Sequence, residues 1–69
     1  MNIDIRSNIK NNFKNDDVNS IINSINDSIN SNDELILPGL GVLFEIIWKN
    51  CDKKMKNDLT TIIKENINK

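Results

Sequence analysis

Cys51 and its neighbours are the first place in this sequence where reactive chemistry could be expected. Lys49, Lys53 and Lys54 lie within three positions of the thiol, and a helix is predicted to begin just after it. Nearby cations and a helix N-terminus both favour the thiolate, the reactive form of cysteine. We prefer the alternative that Cys51 continues the apolar stripe of Trp48 as a small packed side chain. The sequence contains no histidine, the commonest general base, so we predict no catalytic residue and no enzymatic activity.

The stretch Pro-Gly-Leu-Gly, residues 38–41, has the glycine content of a phosphate-binding turn at the start of a helix. A P-loop would continue with Lys-Ser or Lys-Thr, and a dinucleotide-binding turn would follow a β-strand; neither pattern is present. We therefore interpret Gly39 and Gly41 as sites where a neighbouring backbone approaches closely, and we predict no cofactor.

Metal binding is not expected either. The acidic pairs Asp16–Asp17 and Asp33–Glu34 lie at predicted helix starts or turns, where helix capping explains them, and they are too few for a calcium loop. A single cysteine without histidine cannot build a zinc site. We predict no metal ligand.

The size of the chain and its lack of long apolar segments limit its class. Sixty-nine residues suffice for one small helical domain, residues 1–69, near the lower limit at which a core supports itself. The start has no apolar signal segment, and the longest apolar run, Leu35 to Trp48, is shorter than the roughly 20 residues of a membrane span. Together with the lone thiol, this predicts a soluble intracellular protein without a membrane partner.

Charge argues against nucleic acid as a partner. The net charge is -1, with -3 on residues 1–36 and +2 on residues 37–69, which is too weak to bind many phosphates. The lysine-rich run at residues 49–56 lies beside Trp48 and could be read as a nucleic-acid patch. Asp52 and Asp58 dilute it, so a solvated helix surface is the better interpretation.

Four segments have helical periodicity, and none has the sustained alternation of a β-strand. The apolar stripes of the first, second and fourth segments are Ile5, Ile9 and Phe13; Val18, Ile21, Ile22, Ile25 and Ile29; and Met55, Leu59, Ile62, Ile63 and Ile67. The candidate N-caps are Asp4, Asp16 or Asp17, and Asp52. The first stripe is narrow, so we expect that helix on the outside of a bundle.

The third helix is apolar nearly all round. Proline suits the first position of a helix, so we expect Pro38 to begin it, with Leu35 to Leu37 approaching in extended form. One face consists of Leu40, Leu43, Phe44, Ile47 and Trp48, and a second consists of Val42 and Ile46. A helix of this kind is buried, either by its own domain or by a partner chain.

These patterns predict an all-α fold, a compact bundle of three to four short helices around a central apolar helix. The residues expected to be best buried are Leu43, Phe44, Ile47 and Trp48, in contact with Ile21, Ile22, Ile25, Leu59, Ile62 and Ile63. Because a small bundle leaves apolar surface uncovered, we also expect a homodimer in which the Val42–Ile46 side or the first helix crosses between chains. A different protein partner is the alternative.

The stretch ILPGLGVLFEIIWKN, residues 36–50, resembles the characteristic segment of the small acid-soluble spore protein I family of endospore-forming bacteria. The start NIDIRSNI is similar to the opening of that family, and the acidic pair Asp33–Glu34 precedes the main segment. The family motif and candidate core comprise Leu37, Pro38, Gly39, Leu40, Gly41, Val42, Leu43, Phe44, Glu45, Ile46, Ile47 and Trp48.

The resemblance implies synthesis in the forespore during sporulation and residence in the spore core, and it supplies no mechanism. The all-round apolarity of the third helix favours a non-enzymatic structural or protein-binding role. The resemblance leaves two alternatives, a DNA-associated spore protein and an amino-acid store degraded at germination. The DNA-coating spore proteins carry a protease site and a glycine-bearing DNA motif, and neither is present here. Leu43 to Ile46 is only superficially similar to that protease site, so we do not extend DNA coating to this chain.

Overall fold

A computed structural model describes residues 4–69, and within that range the chain forms four α-helices, one short 3-10 helix and no strand. The elements in order are α1 (Ile5–Phe13), α2 (Val18–Asn30), the 3-10 helix (Glu34–Ile36), α3 (Leu37–Asn50) and α4 (Lys53–Asn66). The predicted all-α class, a compact bundle of short helices, is confirmed. Asn2 and Ile3, part of the opening stretch that carries the family resemblance, lie outside the described residues.

Aspartate side chains begin three of the α-helices, as predicted. Asp4, Asp17 and Asp52 each accept the backbone N–H of the residue three positions on, at 3.1, 2.8 and 2.8 Å. Asp17, not Asp16, is the cap of α2. The backbone hydrogen bonds from Ser7 and Ser20 lower the pKa of Asp4 and Asp17, because they stabilise the ionised carboxylates. The start of each of these helices is therefore set by residues that are close to it in the sequence.

The chain enters α3 differently from the prediction. Leu35 and its neighbours form the 3-10 helix instead of an extended segment, and α3 begins at Leu37, one residue before Pro38. Leu37 has helical angles, φ -60° and ψ -42°, although a residue before proline usually avoids them. Asp33 caps the 3-10 helix by accepting the N–H of Leu35 at 2.9 Å, which starts a turn that runs directly into α3.

The closest packing between α-helices joins α1 to α3. A Cβ atom added to Gly39 would lie 3.2 Å from Cδ1 of Ile9, so the absence of a side chain at Gly39 leaves room for α1. The predicted close contact is therefore present at Gly39, but its neighbour is a side chain and not a backbone. At Gly41 an added Cβ would meet nothing within 4 Å, so the same prediction is wrong there within one chain. The helix expected on the outside is thus the one most closely joined to α3.

The two faces of α3 are reversed relative to the prediction. Val42, 9% exposed, is the one buried hydrophobic residue among those described, whereas Phe44 is 40% exposed, Trp48 36% exposed, and Ile47 similarly open. The expectation that Phe44, Ile47 and Trp48 are best buried is wrong, because α1 covers the side of Val42 instead. Val42 is therefore covered within its own chain and Ile46 is half-buried, whereas a dimer contact through this side or through the first helix stays a prediction.

The helices α2 and α4 leave most of their predicted inner faces uncovered. In α4, Leu59 is half-buried, but the other apolar positions are exposed. The large exposed apolar residues of these two helices are Val18, Ile22, Ile29, Met55, Ile62 and Ile63. The described part of the chain therefore keeps a wide apolar surface in contact with water.

The packing of Ile9 against Gly39 predicts a non-additive pair of substitutions. We expect Gly39→Val to lower the free energy of unfolding by about 1–3 kcal/mol, because the added methyl groups push α1 away. In an Ile9→Ala background the same substitution should cost less, since the space is already vacated. Urea denaturation at one fixed protein concentration measures both costs. Equal costs in the two backgrounds would show that Ile9 and Gly39 do not share this contact.

Candidate functional site

A shallow apolar groove lies between the outward side of α3 and the middle of α4, and we call it the α3–α4 groove. Its lining residues are Gly41, Phe44, Glu45, Trp48, Lys49, Thr60 and Ile63, around a volume of about 390 Å³. The four residues at 41, 44, 45 and 48 recur at helical spacing, so they lie on the same side of α3. The groove is thus formed by two consecutive helices that are joined by a short link at residues 51–52.

An aromatic pair forms the α3 wall of the groove. The rings of Phe44 and Trp48 are stacked, with centroids 5.8 Å apart and an angle of 29° between their planes. The ammonium group of Lys56 lies 5.4 Å from the centroid of the Trp48 ring, within the range of a cation–π interaction. These contacts hold two large apolar side chains in fixed positions while more than a third of each stays exposed.

Glu45 connects the groove to α1 through a charged hydrogen-bond network. Arg6 donates from Nε to Oε1 at 2.7 Å and from Nη2 to Oε2 at 2.9 Å. This bidentate geometry fixes the plane of the guanidinium relative to the plane of the carboxylate. Lys49 donates to the same carboxylate at 3.5 Å. The hydrogen bonds from Arg6, followed by the charges of Arg6 and Lys49, lower the pKa of Glu45 to about 2. Glu45 is therefore ionised and occupied by partners over the neutral range, which leaves it poorly suited to proton transfer.

Cys51 lies at the end of α3, half-buried, with its Sγ donating a long hydrogen bond to the carbonyl of Trp48 at 3.7 Å. It is the C-cap of α3 and has extended backbone angles, so the interpretation that it continues the apolar stripe of Trp48 stays a prediction. The space in front of Gly39 is filled by Ile9, so the Pro-Gly-Leu-Gly turn offers no open phosphate cradle at that position. Among residues 4–69 no group of three acidic or cysteine side chains could hold a metal ion.

The structure divides the family motif between two sides of one helix. It brings Gly41, Phe44, Glu45 and Trp48 together in the groove, whereas Val42 is buried and does not line it. The sequence did not indicate the other contributors, which are the lining residues Lys49, Thr60 and Ile63 and the Glu45 partner Arg6. The arginine is 39 residues from its partner, and no local pattern links them. The amphipathic stripe predicts Ile63 on the inner face of α4, and it does not indicate that this face stays exposed.

The described residues thus form a small all-α protein with an exposed apolar groove. The family model for small, acid-soluble spore protein I matches residues 3–67. The chain belongs to this family. It is therefore a spore protein, and the resemblance seen in residues 36–50 is confirmed.

Curated relatives agree with the family match. Proteins named "Small, acid-soluble spore protein I" from Bacillus cereus and Bacillus anthracis are each 46% identical to this chain over 39 residues. The matched region spans 56% of this chain and 56% of each relative, so it covers little more than half the length of these relatives. No solved structure matches the chain. Within the described residues, no helix has the length and apolar character to cross a membrane.

The Arg6–Glu45 pair predicts a specific dependence of stability on pH. The pKa of Glu45 is lowered from 4.5 to about 2, so the native state binds fewer protons than the unfolded chain between these values. The stabilisation is complete above pH 4.5 and is lost as the pH falls to about 2. We expect the stability difference between wild type and Glu45→Gln to be present at neutral pH and to vanish across this window. Urea denaturation at constant ionic strength measures it.

The matched control for this experiment is Asp58→Asn, which removes a carboxylate from an exposed pair with Lys54 at 3.4 Å. Such a surface pair contributes about 0–1 kcal/mol, so this variant should stay close to wild type at neutral pH. A Glu45→Gln difference that is the same at neutral pH and at pH 2 would contradict the assigned ion pair.

Proposed function

We propose that this spore protein is a non-enzymatic component of the spore core that acts by binding protein through the α3–α4 groove. The observation that carries the proposal is the exposed, stacked pair of Phe44 and Trp48 beside Ile63. Exposed apolar patches of this kind mark interaction sites, and aromatic residues are enriched at the centres of protein interfaces. Membership of the family supports the sporulation context, and residence in the spore core is part of the proposal.

The polar groups of the groove support binding in preference to catalysis. Glu45 is held by Arg6 and Lys49, so the carboxylate is positioned as a structural anion. The hydroxyl of Thr60 donates to the carbonyl of Lys56 at 2.8 Å, which ties it to its own helix. A general base or nucleophile needs an available proton or lone pair directed at a substrate. These side chains instead form the polar rim that surrounds the apolar centre of a typical interface.

Two other roles remain alternatives, DNA association and storage of amino acids for germination. A DNA-binding surface needs many unpaired cations, whereas the groove is lined mainly by apolar residues and Lys49 is engaged with Glu45. A storage protein needs no defined surface at all. The aromatic pair in a shaped groove therefore favours protein binding over both alternatives.

A photoreactive residue in the groove tests protein binding inside spores. Thr60 lines the groove and Thr61 does not, although both are exposed and both donate to the carbonyl four residues back at 2.8 Å. We expect a photoreactive residue at position 60 to give protein adducts after irradiation, because a bound protein contacts the groove. The same residue at position 61 is the control and should give far fewer. Mass spectrometry of purified adducts reads the result. Equal yields at both positions, or adducts mainly to DNA, would refute the proposal.

DNA association can be tested separately with purified protein. With a net charge of -1, we expect no mobility shift of duplex DNA at micromolar protein in physiological salt. A weak shift at low salt that disappears as salt rises would agree with non-specific surface charge. A stable shift at physiological salt would favour the DNA-associated alternative.

A further inference from the structure

The accessible surface of the chain is larger than a monomer of its mass should expose. The surface area is 6112 Å² for a mass of 7.9 kDa. Folded monomers of that mass expose about 4,400 Å², so this chain exposes about 1,700 Å² more than expected. The exposed isoleucine and aromatic side chains are part of that difference.

This difference matches the area that a permanent dimer covers. Obligate homodimer interfaces bury about 1,000–2,500 Å² on each chain, and they are more apolar than the ordinary surface. We propose that the α3–α4 groove is a self-association surface and that its occupant is the same face of a second copy of this chain. The inference rests on the proposed function, since it names the protein that the groove binds.

The surroundings of Gly41 support a contact with the second copy on this side of α3. Glycine inside a helix is less stable than alanine, and at Gly41 nothing within 4 Å of an added Cβ explains its presence in a single chain. Gly39, two positions earlier, is explained by Ile9 of the same chain. Gly41 lines the groove as well as a smaller cavity beside Ile5 and Val42, so the groove side of Gly41 leaves room for a second chain to approach the α3 backbone closely.

The two-fold arrangement is self-complementary. The space beside Gly41 of one copy can receive the projecting rings of Phe44 or Trp48 of the other, and the two-fold axis repeats that contact. Two pairs of antiparallel or crossing helices then enclose one shared apolar core, as in helical bundles. The carboxylate of Glu45, which also lines the groove, is paired with Arg6 and Lys49 of its own chain, so an approaching copy meets no unpaired anion there.

Sedimentation equilibrium of the purified full chain tests the assignment, using two matched variants. Ile63 lines the groove and is 46% exposed, whereas Ile22 lies on α2 away from the groove and is 49% exposed. We expect wild type to approach twice the 7.9 kDa chain mass as concentration rises from the low micromolar range. Ile63→Lys should raise the dissociation constant at least about tenfold, and Ile22→Lys should change it by less than about threefold.

Circular dichroism at each concentration shows whether the variants remain helical. If Ile63→Lys unfolds, Gly41→Leu replaces it, because the added side chain enters open space in one chain and the path of the second copy in the dimer. Weaker association of Gly41→Leu supports the proposal, and unchanged association overturns it. A wild-type chain that stays monomeric, or equal weakening by Ile22→Lys and Ile63→Lys, also overturns it.

The outcome also separates this inference from the proposed function. A monomeric wild type whose position 60 still crosslinks to a different protein in spores would refute self-association and leave protein binding intact. A monomeric wild type with no protein adduct at position 60 would refute both.

Discussion

The docking of α1 on one side of α3 determines which apolar residues of α3 are covered within the chain. Ile9 packs against Gly39, where a side chain at position 39 would obstruct Ile9. Arg6 donates two hydrogen bonds to Glu45, at 2.7 and 2.9 Å. With α1 fixed there, Val42 becomes the best-buried apolar residue among those described. A nine-residue helix can shield only one side of α3, so the opposite side, with its aromatic pair, is left to water or to another chain.

The two glycines of the family motif have different surroundings. Gly39 admits α1 of the same chain, whereas Gly41 opens on the groove and has no neighbour of its own. The apolar residues that follow are likewise shared between the covered side and the exposed side of α3. A motif that is apolar nearly all round therefore suits a helix with one partner inside its domain and a second partner outside it.

The local features of this fold could be predicted from sequence, and the orientation of α3 could not. Periodicity and aspartate caps indicated the helices, because both depend on residues a few positions apart. A helix with apolar residues on every side has no polar face to orient it. The sequence therefore predicted Phe44 as a core residue, whereas the structure buries Val42 and exposes Phe44. The Arg6–Glu45 contact joins residues 39 positions apart, and the helical start at Leu37 depends on the turn capped by Asp33. The groove depends on this orientation of α3 and on these contacts, which no local sequence pattern predicts.

Trp48 is the only tryptophan in the chain and lines the groove, so its fluorescence reports directly on whether association closes that groove. Emission spectra and quenching by an aqueous quencher should be recorded over a dilution series of wild-type protein. If a second copy covers the α3–α4 groove, emission shifts to shorter wavelength and quenching falls as concentration rises, in step with the increase in mass. Emission that stays constant while the mass doubles would contradict the account, because the chains would then associate through another surface.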